Sequence, residues 1–180
     1  MIDHDPGGKV RLAMPEDVRS EAIYSPCRQY RYLLQRRWET TPDRSVMFLL
    51  MNPSTATEEI DDPTVRKCRT YAVQWGYNHL IIGNVMGYRA TEPLLLRDVD
   101  DPVGPDNYYH LQEALVQYLP DIICAWGRLP ARLVDVEQQA IAMLREVRMP
   151  VYVLRLNTTG GPWHPLYLPL DLQPIRWTLP

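Results

Sequence analysis

The stretch MFLLMNPSTA, residues 47–56, decides the fold. Its apolar run is uninterrupted and gives way at once to Asn52-Pro53-Ser54-Thr55. A short continuous apolar run closed by turn residues reads as a strand buried on both faces, as in a parallel sheet. Pro53 has no N–H to donate to a ladder, so the strand should end near Asn52. An amide and two hydroxyls then stand at the carboxyl end of a central strand, where open α/β sheets bind ligands. A polar turn leaving a core strand has much the same composition, so this stretch alone does not separate a site from a turn.

Working outward, Asp61-Asp62-Pro63 opens a helix, with Asp62 as N-cap, Pro63 at the first helical position and Gly76 as the stop. Val65, Cys68, Ala72 and Trp75 fall on one face of it. His79–Val85 (HLIIGNV) is the next apolar strand and ends beside Asn84. A helix over Pro105–Leu119 with a Leu111/Leu115/Leu119 stripe follows, then a strand over Asp121–Trp126 that stops at Gly127-Arg128. A third helix spans Pro130–Val147, with Leu133, Val136, Ala140, Met143 and Val147 on one face. A fourth strand over Val151–Leu156 leads to the loop that contains His164. Upstream, Glu21–Tyr24 and Arg28–Trp38 read as an antiparallel pair at a sheet edge, their arginines forming a solvated face. Residues 1–20 read as a loosely held arm.

Strand alternating with helix implies βαβ units. The expected fold is one α/β domain over residues 1–180: a three-layer sandwich around a mostly parallel four-stranded central sheet, plus the N-terminal antiparallel strand pair. Asn52, Asn84, Gly127-Arg128 and the His164 loop each follow a different strand, and such ends converge on one crevice.

Composition narrows the functions. With 46% hydrophobic and 23% charged residues the chain reads as globular, and its formal net charge of −3 gives no global positive field to draw it to nucleic acid. Only local clusters such as Arg28, Arg31, Arg36 and Arg37 carry positive charge together. No apolar run reaches membrane-spanning length and no secretory pattern opens the chain, so no membrane partner is expected. Three scattered cysteines (Cys27, Cys68, Cys124) suit a reduced, cytoplasmic protein in which each is a small buried hydrophobe. The four histidines show no ligand spacing, so neither a metal nor a cofactor is expected.

The segments LLMNPSTATEEIDDPTVRKC, WGYNHLIIGNVMGYRATEP, DPVGPDN and WHPLYLP together resemble the family called domain of unknown function 1643, from about Arg31 to Pro169. A more distant likeness is to the uracil-DNA glycosylase superfamily. Met51-Asn52-Pro53-Ser54 is similar to its first motif, Gly83-Asn84-Val85 to the strand end that reads the base, Ala125-Trp126-Gly127 to a Leu-Trp-Gly-like segment, and His164-Pro165-Leu166 to its late DNA-entering loop. The chain departs from that pattern in lacking glycine before Asn52, in having Ser54 after Pro53, and in reading Leu166-Tyr167 where the superfamily has Ser-Pro. The likeness implies the strand order 2-1-3-4 for the core strands and cleavage of the N-glycosidic bond of a modified or mispaired base.

For that chemistry Asn52 would hold a water, and Asp61 or Asp62 would act as base. His164 would donate to the departing base. Asn84 would pair with a base edge and Tyr88 would stack. Ser54 adds a hydroxyl beside Asn52, Arg89 and Arg128 would meet phosphate, and Leu166 with Tyr167 would wedge a duplex. An enzyme acting on a free nucleotide or nucleoside, and a non-catalytic nucleic-acid or nucleotide binding module, fit the same residues. DNA or a nucleotide is therefore the expected partner, and the oligomeric state is left open.

Overall fold

The computed structural model describes residues 12–40 and 43–180. Along the chain run strands β1 (Leu12–Ala13), β2 (Val18–Tyr24), β3 (Arg31–Trp38), β4 (Ser45–Leu50) and β5 (Ile60–Asp61), then helix α1 (Pro63–Gln74) and strand β6 (His79–Asn84). Helix α2 (Asn107–Tyr118), β7 (Asp121–Cys124), α3 (Val134–Val147), β8 (Val151–Val153) and β9 (Ile175–Arg176) complete the order, with 3₁₀ turns at Pro93–Asp98, Ala131–Leu133 and Pro165–Tyr167.

The large sheet has seven strands, in the order β2-β3-β6-β4-β7-β8-β9: the four expected core strands, the expected antiparallel pair and the unexpected β9. Its centre β6-β4-β7-β8 is parallel throughout, which is the order 2-1-3-4 of the core strands. Antiparallel strands extend both edges: the β2-β3 pair joins β6, and β9 from the proline-interrupted tail joins β8. The fold is thus a mixed α/β sheet with helices on both faces. Along β4, Val46, Phe48 and Leu50 pack with Val65, Cys68, Tyr71 and Ala72 of α1. Met47 and Leu49 face the other way, towards Leu111 and Leu115 of α2 and Val136 and Ala140 of α3. That alternation is the period of two expected of a strand, and here both faces are apolar because both are covered.

Helix α1 begins as the sequence reads, with Asp62 Oδ1 accepting from the Val65 N–H at 2.8 Å and Pro63 in the first turn. The chain leaves it through Gly76 at φ +77°. The aromatic residues at the C-terminal end of this segment also secure the C-terminal tail: Trp75 Nε1 donates to the Leu172 carbonyl at 3.2 Å, and the Tyr71 hydroxyl to that of Pro169.

Several expectations are corrected. Arg31 and Arg36 are not on a solvated strand face; both are buried. Arg36 reaches Asp61 at 3.0 Å, Asp61 also accepts from Arg69 Nε at 3.1 Å, and the Arg36 guanidinium further donates to the carbonyls of Thr57 and Ile60 and to the Ser20 hydroxyl. Leu119 leaves the α2 stripe and is exposed, because it caps the helix in the left-handed conformation at φ 44°. Cys68 and Cys124 are buried as expected, but Cys27 is exposed in the β2–β3 turn. Of the arm expected over residues 1–20, residues 1–11 lie outside the described residues, while Leu12–Ala13 pair with β5 and Val18 already belongs to β2. Among the described residues no helix is long and apolar enough to cross a membrane.

Candidate functional site

A cleft of about 770 Å³ lies over the carboxyl ends of the central strands. Of the residues singled out from the sequence, Asn52, Ser54, Asp62, Asn84, Arg128, His164, Leu166 and Tyr167 line it. Asp61, Tyr88 and Arg89 do not. Asp61 is fully buried between Arg36 and Arg69, which removes it as a candidate base facing the cleft. Tyr88 instead meets Tyr30 edge-on at 5.5 Å, and its backbone bridges to it. Arg89 turns towards the β2–β3 turn, donating to the Arg28 carbonyl at 3.2 Å and lying 5.5 Å over the Tyr24 ring.

Each lining group is held by the strand end that carries it. Asn52 leaves β4 with its amide nitrogen donating to the carbonyls of Pro53 (2.9 Å) and Ala90 (2.8 Å). Two carbonyls can only accept, so the nitrogen is committed and Oδ1 is the atom left for the cleft. Asn84 ends β6, fully buried, and among the described residues neither Nδ2 nor Oδ1 has a hydrogen-bond partner. Its backbone carbonyl accepts from Asn107 Nδ2 at 2.9 Å, which fixes the strand end while leaving the side chain uncommitted. The Ser54 hydroxyl is likewise buried and, among the described residues, unpartnered.

His164 caps the 3₁₀ turn that follows it, with Nδ1 accepting from the Leu166 N–H at 3.4 Å. Accepting at Nδ1 favours the neutral tautomer with its proton on Nε2. Gly127, at φ +76°, makes room for this loop: a Cβ there would stand 3.0 Å from the His164 Cβ. Lys67 of α1 holds the same loop from beneath, donating to the Leu166 carbonyl at 2.9 Å and also to that of Leu168. Trp126 forms the wall between, its ring fully buried and its Nε1 donating to Glu137 Oε1 at 2.9 Å. Leu94 and Tyr167 are exposed on the rim.

Sequence reasoning did not assign Arg31, Trp126, Asn107 or Lys67 to the site. Arg31 lines the cleft while only 1% exposed. Burial pushes its guanidinium down to about 10, partly offset by the nearby charge of Asp62. It is therefore still a cation at neutral pH. Asp62 lines the cleft too, with Oδ1 engaged in capping α1. Among the described residues no group of three or more His, Cys, Asp and Glu side chains gathers as a metal site would require.

The model of the family described as protein of unknown function (DUF1643) matches residues 31–166. No curated protein and no solved structure matches the chain.

Proposed function

The chain belongs to the DUF1643 family, and we propose that its cleft binds a nucleobase and cleaves the N-glycosidic bond that attaches it, in the manner of a uracil-DNA glycosylase-like enzyme. One observation carries the reading. Asn84 presents a fully buried amide with both polar atoms unpartnered among the described residues, in the wall of a cleft that also holds Asn52 and His164. Leaving such a group unbonded costs about 1–3 kcal/mol, so a ligand that satisfies it is the natural account of its retention. An amide offers one donor face and one acceptor, which matches the edge of a nucleobase. The 2-1-3-4 order of the parallel strands is also the order that this likeness implies.

The remaining groups supply a complete reaction. Asn52 Oδ1 and the Asp62 carboxylate hold a water, and Asp62 takes its proton as the water oxygen bonds to the anomeric carbon. The carbon–nitrogen bond breaks and its electron pair leaves with the base. His164 Nε2–H donates to the anionic oxygen of that base, aided by the Asn84 amide. Leu166 and the exposed Tyr167 fill the gap a base leaves when it turns out of a stack.

The charge on the cleft favours a second reading. Glu92 and Asp62 offset Arg31 and Arg128, so the cleft lacks the basic rim of a duplex binder, and a free nucleoside or nucleotide fits that balance. Incubation with duplexes bearing modified bases, and with nucleosides and nucleotides, tests both readings. Release of free base that is abolished in Asn52→Ala supports the proposal, and no release from any of them refutes it.

A further inference from the structure

Strand β3 buries two guanidinium groups and treats them differently. Arg36 is satisfied: Asp61 balances its charge at 3.0 Å, and carbonyls and a hydroxyl take its other N–H groups. Among the described residues the guanidinium of Arg31, a residue only 1% exposed, has one hydrogen bond, from Nη1 to the Ala56 carbonyl. Among the described residues its Nε is buried without a partner, and no carboxylate comes within 4.0 Å of it as an ion pair. Burying a cation without a bonded counter-charge costs several kcal/mol, which a fold does not accept without compensation.

The backbone shows that Arg31 is aimed. Between β2 and β3 the register runs from Ile23 opposite Leu33 to Tyr24 opposite Arg31, so Tyr32 is an extra residue in a bulge. Strict alternation would turn Arg31 to the side of Leu33, beneath α2 and α3. The bulge reverses this. It sends Tyr32 to stack on His110 of α2 at 4.9 Å, and it brings Arg31 to Ala56 and the cleft. Bulges recur where a strand must re-aim a functional side chain.

We infer that Arg31 is an anion receptor of the cleft, taking a phosphate oxyanion of the ligand through its unpartnered Nε edge. The inference rests on the nucleobase reading only for the other half of that ligand, which makes the ligand a phosphorylated nucleoside. The phosphate belongs either to a mononucleotide or to the backbone of a strand. Guanidinium and phosphate match in charge and geometry, and the pair forms where water is scarce.

The test is calorimetric binding of nucleosides, their 5′-monophosphates, phenyl phosphate and a short single strand to wild type, Arg31→Gln and Asn84→Leu. A 5′-monophosphate, or the strand, is expected to bind wild type roughly tenfold or more tighter than the matching nucleoside. Arg31→Gln should close that gap while leaving nucleoside affinity unchanged, and Asn84→Leu should weaken nucleoside and nucleotide alike. Where only the strand shows the gap, the phosphate is that of the backbone; where mononucleotides show it, it is terminal. A gap that persists in Arg31→Gln, or no gap in wild type, overturns the inference. Should that variant not fold, Arg31→Lys reads the same quantity, since it lacks the Nε edge: a reduced gap supports the assignment and an unchanged one overturns it. Phenyl phosphate binding that depends on Arg31 but not on Asn84, with no preference among bases, sustains the anion site and refutes the nucleobase reading. Nucleoside binding that depends on Asn84 without any gap does the reverse.

Discussion

Replacing a buried asparagine with leucine ordinarily destabilises a protein, but Asn84→Leu should stabilise this one. The Asn84 side chain is fully buried at the end of β6, and among the described residues neither of its polar atoms is hydrogen-bonded. The native state therefore carries the desolvation of an amide without its compensation, about 1–3 kcal/mol. Leucine removes that cost and suits a strand. Its extra methyl groups lie against the cleft of about 770 Å³, which limits overpacking. The strand end itself is unaffected, because Asn107 binds the backbone carbonyl at 2.9 Å and not the side chain. Equilibrium urea unfolding should show a midpoint raised by roughly 0.5–1.5 M at an unchanged slope. The same variant should lose nucleobase binding. A midpoint lowered by a comparable amount would refute the reasoning, since it would mean that the amide is satisfied in the native state.

Asp61→Ala should cost about 3–5 kcal/mol in the same assay, because it leaves Arg36 buried without its counter-charge; a change below 1 kcal/mol in urea midpoint analysis would contradict the network. His164→Ala should lower single-turnover base release by roughly a hundredfold with nearly unchanged binding, the pattern of a group acting in the transition state; weaker binding with unchanged turnover would assign it to recognition instead. His79 is pushed down to about 4, first by burial and then by the Arg37 guanidinium, from an ordinary value of 6.5. The unfolded chain therefore binds the proton first. The contribution is intact above pH 6.5 and is lost as pH falls from there towards 4, by up to about 3 kcal/mol, and His79→Gln should flatten that part of the stability profile. Lys67→Met should release the Leu166 carbonyl and lower turnover more than it lowers the unfolding midpoint; equal losses would make Lys67 purely structural.

What was legible in the sequence was what is decided locally. The runs that became β4, β6, β7 and β8 are continuous and apolar, and the Asp62-Pro63 start of α1 is written in adjacent residues. The convergence of Asn52, Asn84, Arg128 and His164 followed from placing each after a strand end. Partnerships made at a distance were not legible. Asp61 looked like a free carboxylate beside a helix start, yet its partner Arg36 lies 25 residues earlier, on β3. Arg31 looked like one charge in a basic cluster, because a bulge that turns a side chain through the sheet leaves no composition signal. Strand β9 pairs with β8 from within a proline-interrupted tail, where apolar periodicity is too short to read. Tyr88 and Arg89 followed a strand end as the lining residues do, but their loop turns back onto Tyr30 and Tyr24.

The measurement that bears most directly on the central claim is single-turnover release of free base, followed by mass spectrometry, across modified-base duplexes, single strands, nucleosides and nucleotides. Wild type should release base from at least one substrate class. Asn52→Ala, which removes the carbonyl proposed to hold the water while sparing Asn84, should reduce that rate by roughly a hundredfold or more at unchanged affinity. Equal rates in the two proteins, or bound substrate that is never cleaved, would contradict it.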